Sequence, residues 1–173
     1  MPPRRATPWT VDPDDPRAPP QDLWDTLDAE ERAAIVLALP IEVPIELHPP
    51  EGDAHRKAKQ RPTDALDAFF QRLGRRVYVS SELGTYYPNE PRFCPDVMAV
   101  LDVETHERDS WIVSREGRGL DFVLEVHWNG DARKDFELNV ARYARLGIAD
   151  ARGPSRRSVR GSILADSVTA PLT

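Results

Sequence analysis

Two acidic residues, Asp96 and Glu125, have the types and positions that could support metal-assisted chemistry on a phosphate. Asp96 follows a proline at the start of the apolar run 96–103, and Glu125 lies inside a second apolar run, 121–128. An unpaired carboxylate is costly to bury, and a bound divalent cation would remove that cost. Two carboxylates, a strand carbonyl and waters suit Mg²⁺, which can polarise a phosphoryl oxygen and activate a water.

Three helices are predicted around this acidic pair. The first spans 28–39, where Asp28 is a plausible N-cap and Glu31 stands at the capping-box spacing. The second is expected to be broken or kinked near Pro62, and the third follows the last strand and ends near residue 146. One buried face is predicted for the second helix, made of Leu66, Phe69, Phe70 and Leu73.

Three apolar runs, at residues 76–82, 96–103 and 121–128, are predicted to be strands. Residues 111–114 are predicted to add a short strand in the connection between the last two. Within the third run, alternation puts Glu125 on the same face as His127. The order helix, strand, strand, strand, helix indicates a mixed α/β sandwich.

Length and composition indicate one folded domain at residues 22–150. The proline-rich lead-in at 1–21 and the basic, Ser-rich tail at 151–173 are expected to be disordered. The single cysteine, Cys94, excludes an internal disulfide and a cysteine-based zinc cage. A net charge of −6 argues mildly against binding nucleic acid through bulk electrostatics.

The sequence contains no sign of a membrane protein or a secreted protein. Its apolar runs are all shorter than the roughly 20 residues of a spanning helix, and the N-terminal arginines at positions 4 and 5 are not followed by an apolar stretch. We therefore expect a cytoplasmic protein.

The span 51–150 contains three segments that form a recognisable pattern: EGDAH, RFCPDVMAV and LEVHWNGDARKDFELNVARYARLGI. Its marks are Pro95, Asp96, Glu125, Val126, Asp135, Tyr143 and Gly147. On these residues the span resembles the Uma-two group of restriction endonuclease-like proteins, within the PD-(D/E)XK nuclease superfamily. The resemblance implies a helix–three-strand–helix–strand core, Mg²⁺ or Mn²⁺ as cofactor, and hydrolysis of phosphodiester bonds in DNA.

The resemblance also implies a set of site residues. Asp96 and Glu125 would ligate the metal together with the Val126 carbonyl, and His55 would lie near the site. The group continues after its last helix with a further strand, whereas here residues 148–150 are followed by the polar tail. The final strand is therefore predicted to be missing or altered.

The lysine that usually completes such a site is absent from both positions where the resemblance would put it. These positions are occupied by His127 and Asn139. His127 is a candidate proton acceptor near neutral pH, although a solvated strand histidine is the more common occurrence. Arg142 shares the helix face of Asn139 and could supply positive charge.

Basic residues at the start of the second helix form a candidate surface for phosphate contacts. The residues are Arg56, Lys57, Lys59 and Arg61, with Arg142 as a further candidate. A run of charges is often only a solvated face, and that alternative stays open. Tyr86 and Tyr87, in a predicted loop, could stack on bases or form a hairpin tip.

These residues leave three hypotheses about function. The first is a Mg²⁺-dependent DNA endonuclease, for which the resemblance also suggests a homodimer. The second is a catalytically inactive relative that binds nucleic acid or another protein, which the missing lysine and the negative charge favour. The third is a gene product that folds poorly.

Overall fold

The computed structural model describes residues 8–44, 52–126 and 133–152. Five helices and six strands are found there. In chain order they are α1 (Gln21–Thr26), α2 (Ala29–Ala38), α3 (Asp53–Arg72), β1 (Val77–Ser80), β2 (Thr85–Tyr86), β3 (Val97–Leu101), β4 (Trp111–Ile112), α4 (Val113–Glu116), β5 (Phe122–Glu125), α5 (Arg133–Arg145) and β6 (Ala149–Arg152). None of the helices in these ranges has the length and apolar character needed to cross a membrane.

The main sheet has the strand order β1-β3-β5-β6. β3 pairs antiparallel with both β1 and β5, whereas β5 pairs parallel with β6. Residues 97–100 of β3 are buried, because this strand has a neighbour on each edge and is covered on both faces. That position explains why β3 is a continuous apolar run rather than an alternating one.

The final strand, predicted to be missing or altered, is present in the described residues, with the polar sequence ADAR. β6 pairs with the whole of β5, from Phe122 opposite Ala149 to Glu125 opposite Arg152. Gly147 adopts a positive φ of 69°, which ends α5 and directs the chain back along the sheet. An edge strand is held by backbone hydrogen bonds and needs few apolar side chains, so its polar sequence carried no strand pattern.

The first predicted helix is confirmed as α2, including its N-terminal cap. The Asp28 side chain accepts a hydrogen bond from the Glu31 N–H at 2.9 Å, and the Glu31 carboxylate accepts one from the Asp28 N–H at 2.9 Å. These two bonds satisfy N–H groups that the first turn of a helix leaves without an intrahelical partner. Ile35 of this helix is fully buried in the N-terminal part of the core.

Replacing Asp28 by alanine is expected to lower the free energy of unfolding by about 1 kcal/mol, because the cap to the Glu31 N–H is lost. Urea unfolding followed by circular dichroism would measure the change. Asp28→Asn serves as the control, since asparagine caps nearly as well. Equal losses in both variants would contradict the capping role.

The second predicted helix exists, but its buried face differs from the prediction. α3 continues through Pro62 without a break. Phe69 is 38% exposed and Leu73 is 60% exposed, whereas Lys59 is only 4% exposed. At about 100° per residue, Leu66 and Phe70 lie within about 20° of Lys59 around the helix, and Phe69 lies about 80° away. The helix therefore turns the face of Lys59, and not that of Phe69, toward the sheet.

Part of the predicted disordered lead-in packs against the domain. Ala18 is fully buried, and its carbonyl accepts a hydrogen bond from the Asn89 N–H at 3.0 Å. It belongs to a small apolar cluster with residues from α1, α2, β2 and β4. The predicted tail lies outside the described residues except for 151–152, which are in β6.

The short strand predicted at 111–114 is present in the connection between β3 and β5, but it has two residues rather than four. Only Trp111 and Ile112 form a strand, β4, and it pairs parallel with β2 in a separate two-stranded sheet. The chain continues directly into α4. Since both β4 residues are fully buried, their apolar character reflects a core position outside the main sheet.

The prediction that Tyr86 or Tyr87 could stack on bases, or form a surface hairpin tip, is wrong. Both rings are buried. The Tyr86 hydroxyl donates to the Pro40 carbonyl at 2.7 Å, and the Tyr87 hydroxyl accepts from the Leu120 N–H at 2.7 Å. Burial also raises the pKa of Tyr87 to about 12. The two tyrosines satisfy backbone groups of neighbouring segments inside the fold.

Candidate active site

Asp96 and Glu125 lie side by side between the central strands. Asp96 immediately precedes β3, and Glu125 is the last residue of β5. The antiparallel register, which pairs Val97 with Leu124, brings the two carboxylates together. The Asp96 N–H points to Glu125 Oε2 at 3.4 Å, and the Val126 N–H donates to Asp96 Oδ2 at 2.6 Å. The pair inferred from the sequence is thus brought together by strand pairing.

Tyr143 connects this carboxylate pair to α5. Its ring is buried in the core, and its hydroxyl donates a hydrogen bond to Glu125 Oε1. Burial and the negative charge of Glu125 raise the pKa of Tyr143 well above its ordinary value, so it stays a donor. The hydrogen bond fixes one oxygen of Glu125.

The contacts around Glu125 offset only part of the cost of desolvating its negative charge. Desolvation, followed by the nearby charge of Asp96, raises the pKa of Glu125 to about 7, although the Tyr143 hydrogen bond acts in the opposite direction. Such a shift is common at functional sites, where like charges are held close together. A cation bound beside both carboxylates would favour their ionised forms.

A third acidic residue, Glu82, and a lysine, Lys59, complete the cluster, and neither was predicted to lie there. Lys59 of α3 forms an ion pair with Glu82, and its Nζ lies 3.8 Å from Asp96 Oδ1. Lys59 was predicted to lie in the exposed basic run, and this prediction is wrong because the side chain is almost entirely buried.

The signal for Lys59 was present in the helical spacing. Leu66 and Phe70, seven and eleven residues further on, share its face of α3. The basic neighbours at 56, 57 and 61 instead made the segment look like one solvated charge run. For Glu82, which follows β1 and was included in a predicted strand, the sequence alone gave no indication of a role.

The backbone at Glu82 is unusual for a residue with a side chain. Its φ is +57°, in the left-handed region that residues other than glycine seldom adopt. The Glu82 N–H donates to the Pro95 carbonyl at 3.1 Å, next to Asp96. This bond ties the segment that carries Glu82 to the residues that lead into β3.

The remaining predicted site residues are engaged elsewhere in the fold or lie outside the described residues. Arg56 and Lys57 are exposed on α3, and Arg56 pairs with Asp53 at 3.3 Å. Asn139 makes no hydrogen bond to Asp96 or Glu125, and accepts one from Arg142 at 3.4 Å. The guanidinium of Arg142 lies over the ring of Phe93. His127 and the side chain of His55 lie outside the described residues.

The protein ligands available to a cation are therefore few. Within the described ranges, no group of three or more His, Cys, Asp or Glu residues is arranged to hold a metal ion. Cys94 is close to the pair, but burial and the charges of Glu125 and Asp96 raise its pKa to about 12 and keep it a neutral thiol. Two carboxylates remain as candidate ligands, and oxygen donors of this kind suit Mg²⁺ better than a thiophilic metal.

Comparison with known proteins identifies one matching family. The model of Uma2, described as "Putative restriction endonuclease", matches residues 27–152. No curated protein and no solved structure gives a significant match. The matched span contains every strand of the main sheet and the residues Lys59, Glu82, Asp96, Glu125 and Tyr143. The family resemblance inferred from the sequence is confirmed.

Proposed function

This chain belongs to the Uma2 family, and we propose that it is a Mg²⁺-dependent endonuclease that hydrolyses phosphodiester bonds in DNA. The family description supports a nuclease in general terms. The observation that carries the more specific proposal is the half-buried pair Asp96 and Glu125, joined by the Asp96 N–H at 3.4 Å. A pair of like charges in a partly desolvated position is a reason to expect a cation there.

Asp96 and Glu125 are the residues that would hold the metal, with the Val126 carbonyl as a third candidate ligand. Mg²⁺ commonly takes one or two carboxylates from the protein and keeps several waters, and the donors present fit that requirement. Mn²⁺ accepts the same oxygen ligands. When bound, such an ion would polarise a phosphoryl oxygen and lower the pKa of an attacking water.

The residues around the pair have definite tasks in this proposal. The Val126 N–H at 2.6 Å and the Tyr143 hydroxyl each hold one carboxylate oxygen, so that both acids keep one orientation. In hydrolysis, a water oxygen forms a bond to phosphorus while the bond to the deoxyribose oxygen breaks. The water loses a proton, for which His127 remains the candidate acceptor, and the departing oxygen gains one.

DNA would approach the exposed end of α3. Arg56 and Lys57 are exposed there and can contact backbone phosphates. Arg56 can leave its ion pair with Asp53 to contact DNA, because ion pairs at exposed positions contribute little to stability. A homodimer, which would cut both strands of a duplex, stays a prediction.

Cleavage of a supercoiled plasmid with Mg²⁺, with Mn²⁺ and with EDTA tests the proposal. We expect cleavage only with a metal ion, and a loss of about 10²-fold or more in Asp96→Asn, because a metal ligand and its charge are removed. Glu107→Gln, at an exposed position, is the matched control and should cleave like the wild type. Cleavage in EDTA, or an Asp96→Asn variant as active as the control, would refute the mechanism.

The second candidate is an inactive relative that binds nucleic acid. It is favoured by the neutral Asn139, which is bonded to Arg142 rather than to the carboxylates. Calorimetric titration with Mn²⁺, paired with fluorescence anisotropy on a labelled duplex, separates the two candidates. An absence of metal binding together with retained DNA affinity would support the inactive relative.

A further inference from the structure

We propose that Lys59 is the catalytic cation of this site, delivered from α3 and positioned by Glu82. The inference rests on the proposed nuclease function and assigns to it a residue outside the two positions where the family pattern expects a lysine. It starts from the burial of Lys59, whose side chain is 4% exposed. An ammonium so far from water is stable only when it is paired with negative groups.

Two acidic residues of the site are partners of Lys59. Its Nζ contacts the Glu82 carboxylate and lies 3.8 Å from Asp96 Oδ1. The other oxygen of Asp96 is already engaged by the Val126 N–H. The ammonium is therefore next to a carboxylate that borders the metal position, while its shorter contact is with Glu82.

Glu82 has the features of a residue that is held in place for this purpose. It adopts a left-handed φ of +57°, a conformation that persists only where the surrounding structure enforces it. The hydrogen bond from its N–H to the Pro95 carbonyl, at 3.1 Å, couples it to the residue before Asp96. Glu82 is thus a positioning residue that sets where the Lys59 ammonium lies relative to Asp96.

The chemistry assigned to Lys59 is electrostatic. In phosphodiester hydrolysis negative charge accumulates on the phosphoryl oxygens, and a fixed ammonium beside them stabilises the transition state more than the ground state. No proton transfer is required of the lysine. A lysine from α3 would also explain how the chain could remain active with His127 and Asn139 at the positions of the expected lysine.

The test compares Lys59→Met, Lys59→Arg and Arg72→Met in plasmid cleavage, Mn²⁺ titration and thermal unfolding. Arg72 is the matched control, since it is an exposed basic residue on the same helix, at the end away from the proposed phosphate contacts. We expect Lys59→Met to lose about 10²-fold or more in cleavage rate, while its Mn²⁺ affinity stays equal to or above that of the wild type because a nearby positive charge is gone. Lys59→Arg should recover part of the rate, and Arg72→Met should stay within about twofold.

Glu82→Gln provides a second variant should Lys59→Met fail to fold. It keeps the shape of the side chain and loosens the ion pair, so we expect kcat to fall by about tenfold with KM little changed. A folded Lys59→Met or Glu82→Gln that cleaves at the wild-type rate would overturn the role of Lys59 and leave the nuclease proposal standing. A wild-type protein that neither binds Mn²⁺ nor cleaves DNA would overturn both.

Discussion

Replacing Glu125 by glutamine is expected to lower DNA cleavage by about 10³-fold or more, and to make the metal-free protein more stable at about pH 8. The loss of cleavage follows if Glu125 is a metal ligand, because a neutral amide binds Mg²⁺ far less well than a carboxylate. The gain in stability follows because glutamine carries no charge that must be desolvated beside Asp96. Opposite effects on activity and stability are typical of a site whose charges serve function.

The pH dependence has a definite sign. The pKa of Glu125 is raised from 4.5 to about 7 in the folded protein. A raised folded pKa adds stability below the unfolded pKa, and this contribution is lost as the pH rises through the folded pKa. The metal-free wild type should therefore lose on the order of 2–3 kcal/mol of unfolding free energy between about pH 5 and pH 8, and Glu125→Gln should lose less.

Urea unfolding in EDTA at a series of pH values measures the change in stability. Plasmid cleavage in Mg²⁺ measures the loss of activity. The difference between the wild type and Glu125→Gln isolates this one carboxylate from other groups that titrate in the same range. Glu107→Gln, which changes an exposed carboxylate, should follow the wild type in both assays. Parallel pH curves for the wild type and Glu125→Gln would show that Glu125 does not carry the raised pKa.

The acidic pair could be predicted because its positions follow from rules that act locally. Alternation along β5 assigns a face to Glu125, and the apolar run after Asp96 marks the start of β3. Pairing of the two strands then brings the carboxylates together. The first two steps depend on the pattern of a few neighbouring residues, which a single sequence contains, whereas the pairing joins segments that are distant in the sequence.

The ion-pair partners of Lys59, and the strand β6, could not be predicted because both depend on segments that are distant in the sequence. A buried lysine needs negative partners. Glu82 and Asp96, which fill this role for Lys59, are more than 20 residues away in the sequence, and the helix pattern does not encode their proximity. The strand β6 forms because β5 offers an open edge for backbone hydrogen bonds, and the polar side chains of β6 do not prevent this pairing. Side-chain periodicity is informative about faces, and much less so about which charged groups meet across the fold.

Gly119→Ala is expected to destabilise the fold by about 2 kcal/mol, within the usual range for overpacking a filled position. A Cβ at position 119 would lie 2.7 Å from the Tyr87 hydroxyl oxygen and 3.3 Å from two ring carbons. That hydroxyl accepts the buried Leu120 N–H at 2.7 Å, so it cannot move away without leaving this donor unsatisfied. The segment leads directly into β5, the strand that carries Glu125.

A double-mutant cycle with Tyr87→Phe tests this reasoning. Tyr87→Phe alone should cost about 1–3 kcal/mol, since the Leu120 N–H loses its acceptor. In the Gly119→Ala background the same change should cost at least about 1 kcal/mol less, because it also removes the clashing oxygen. Gly84→Ala is the control, since a Cβ there would meet its nearest atoms at 3.8 and 3.9 Å. Additive losses, or equal losses in Gly84→Ala and Gly119→Ala, would contradict the proposed contact. If the cycle behaves as expected, the close approach of Gly119 to Tyr87 is one of the constraints that fix the start of β5, and with it the position of Glu125 beside Asp96.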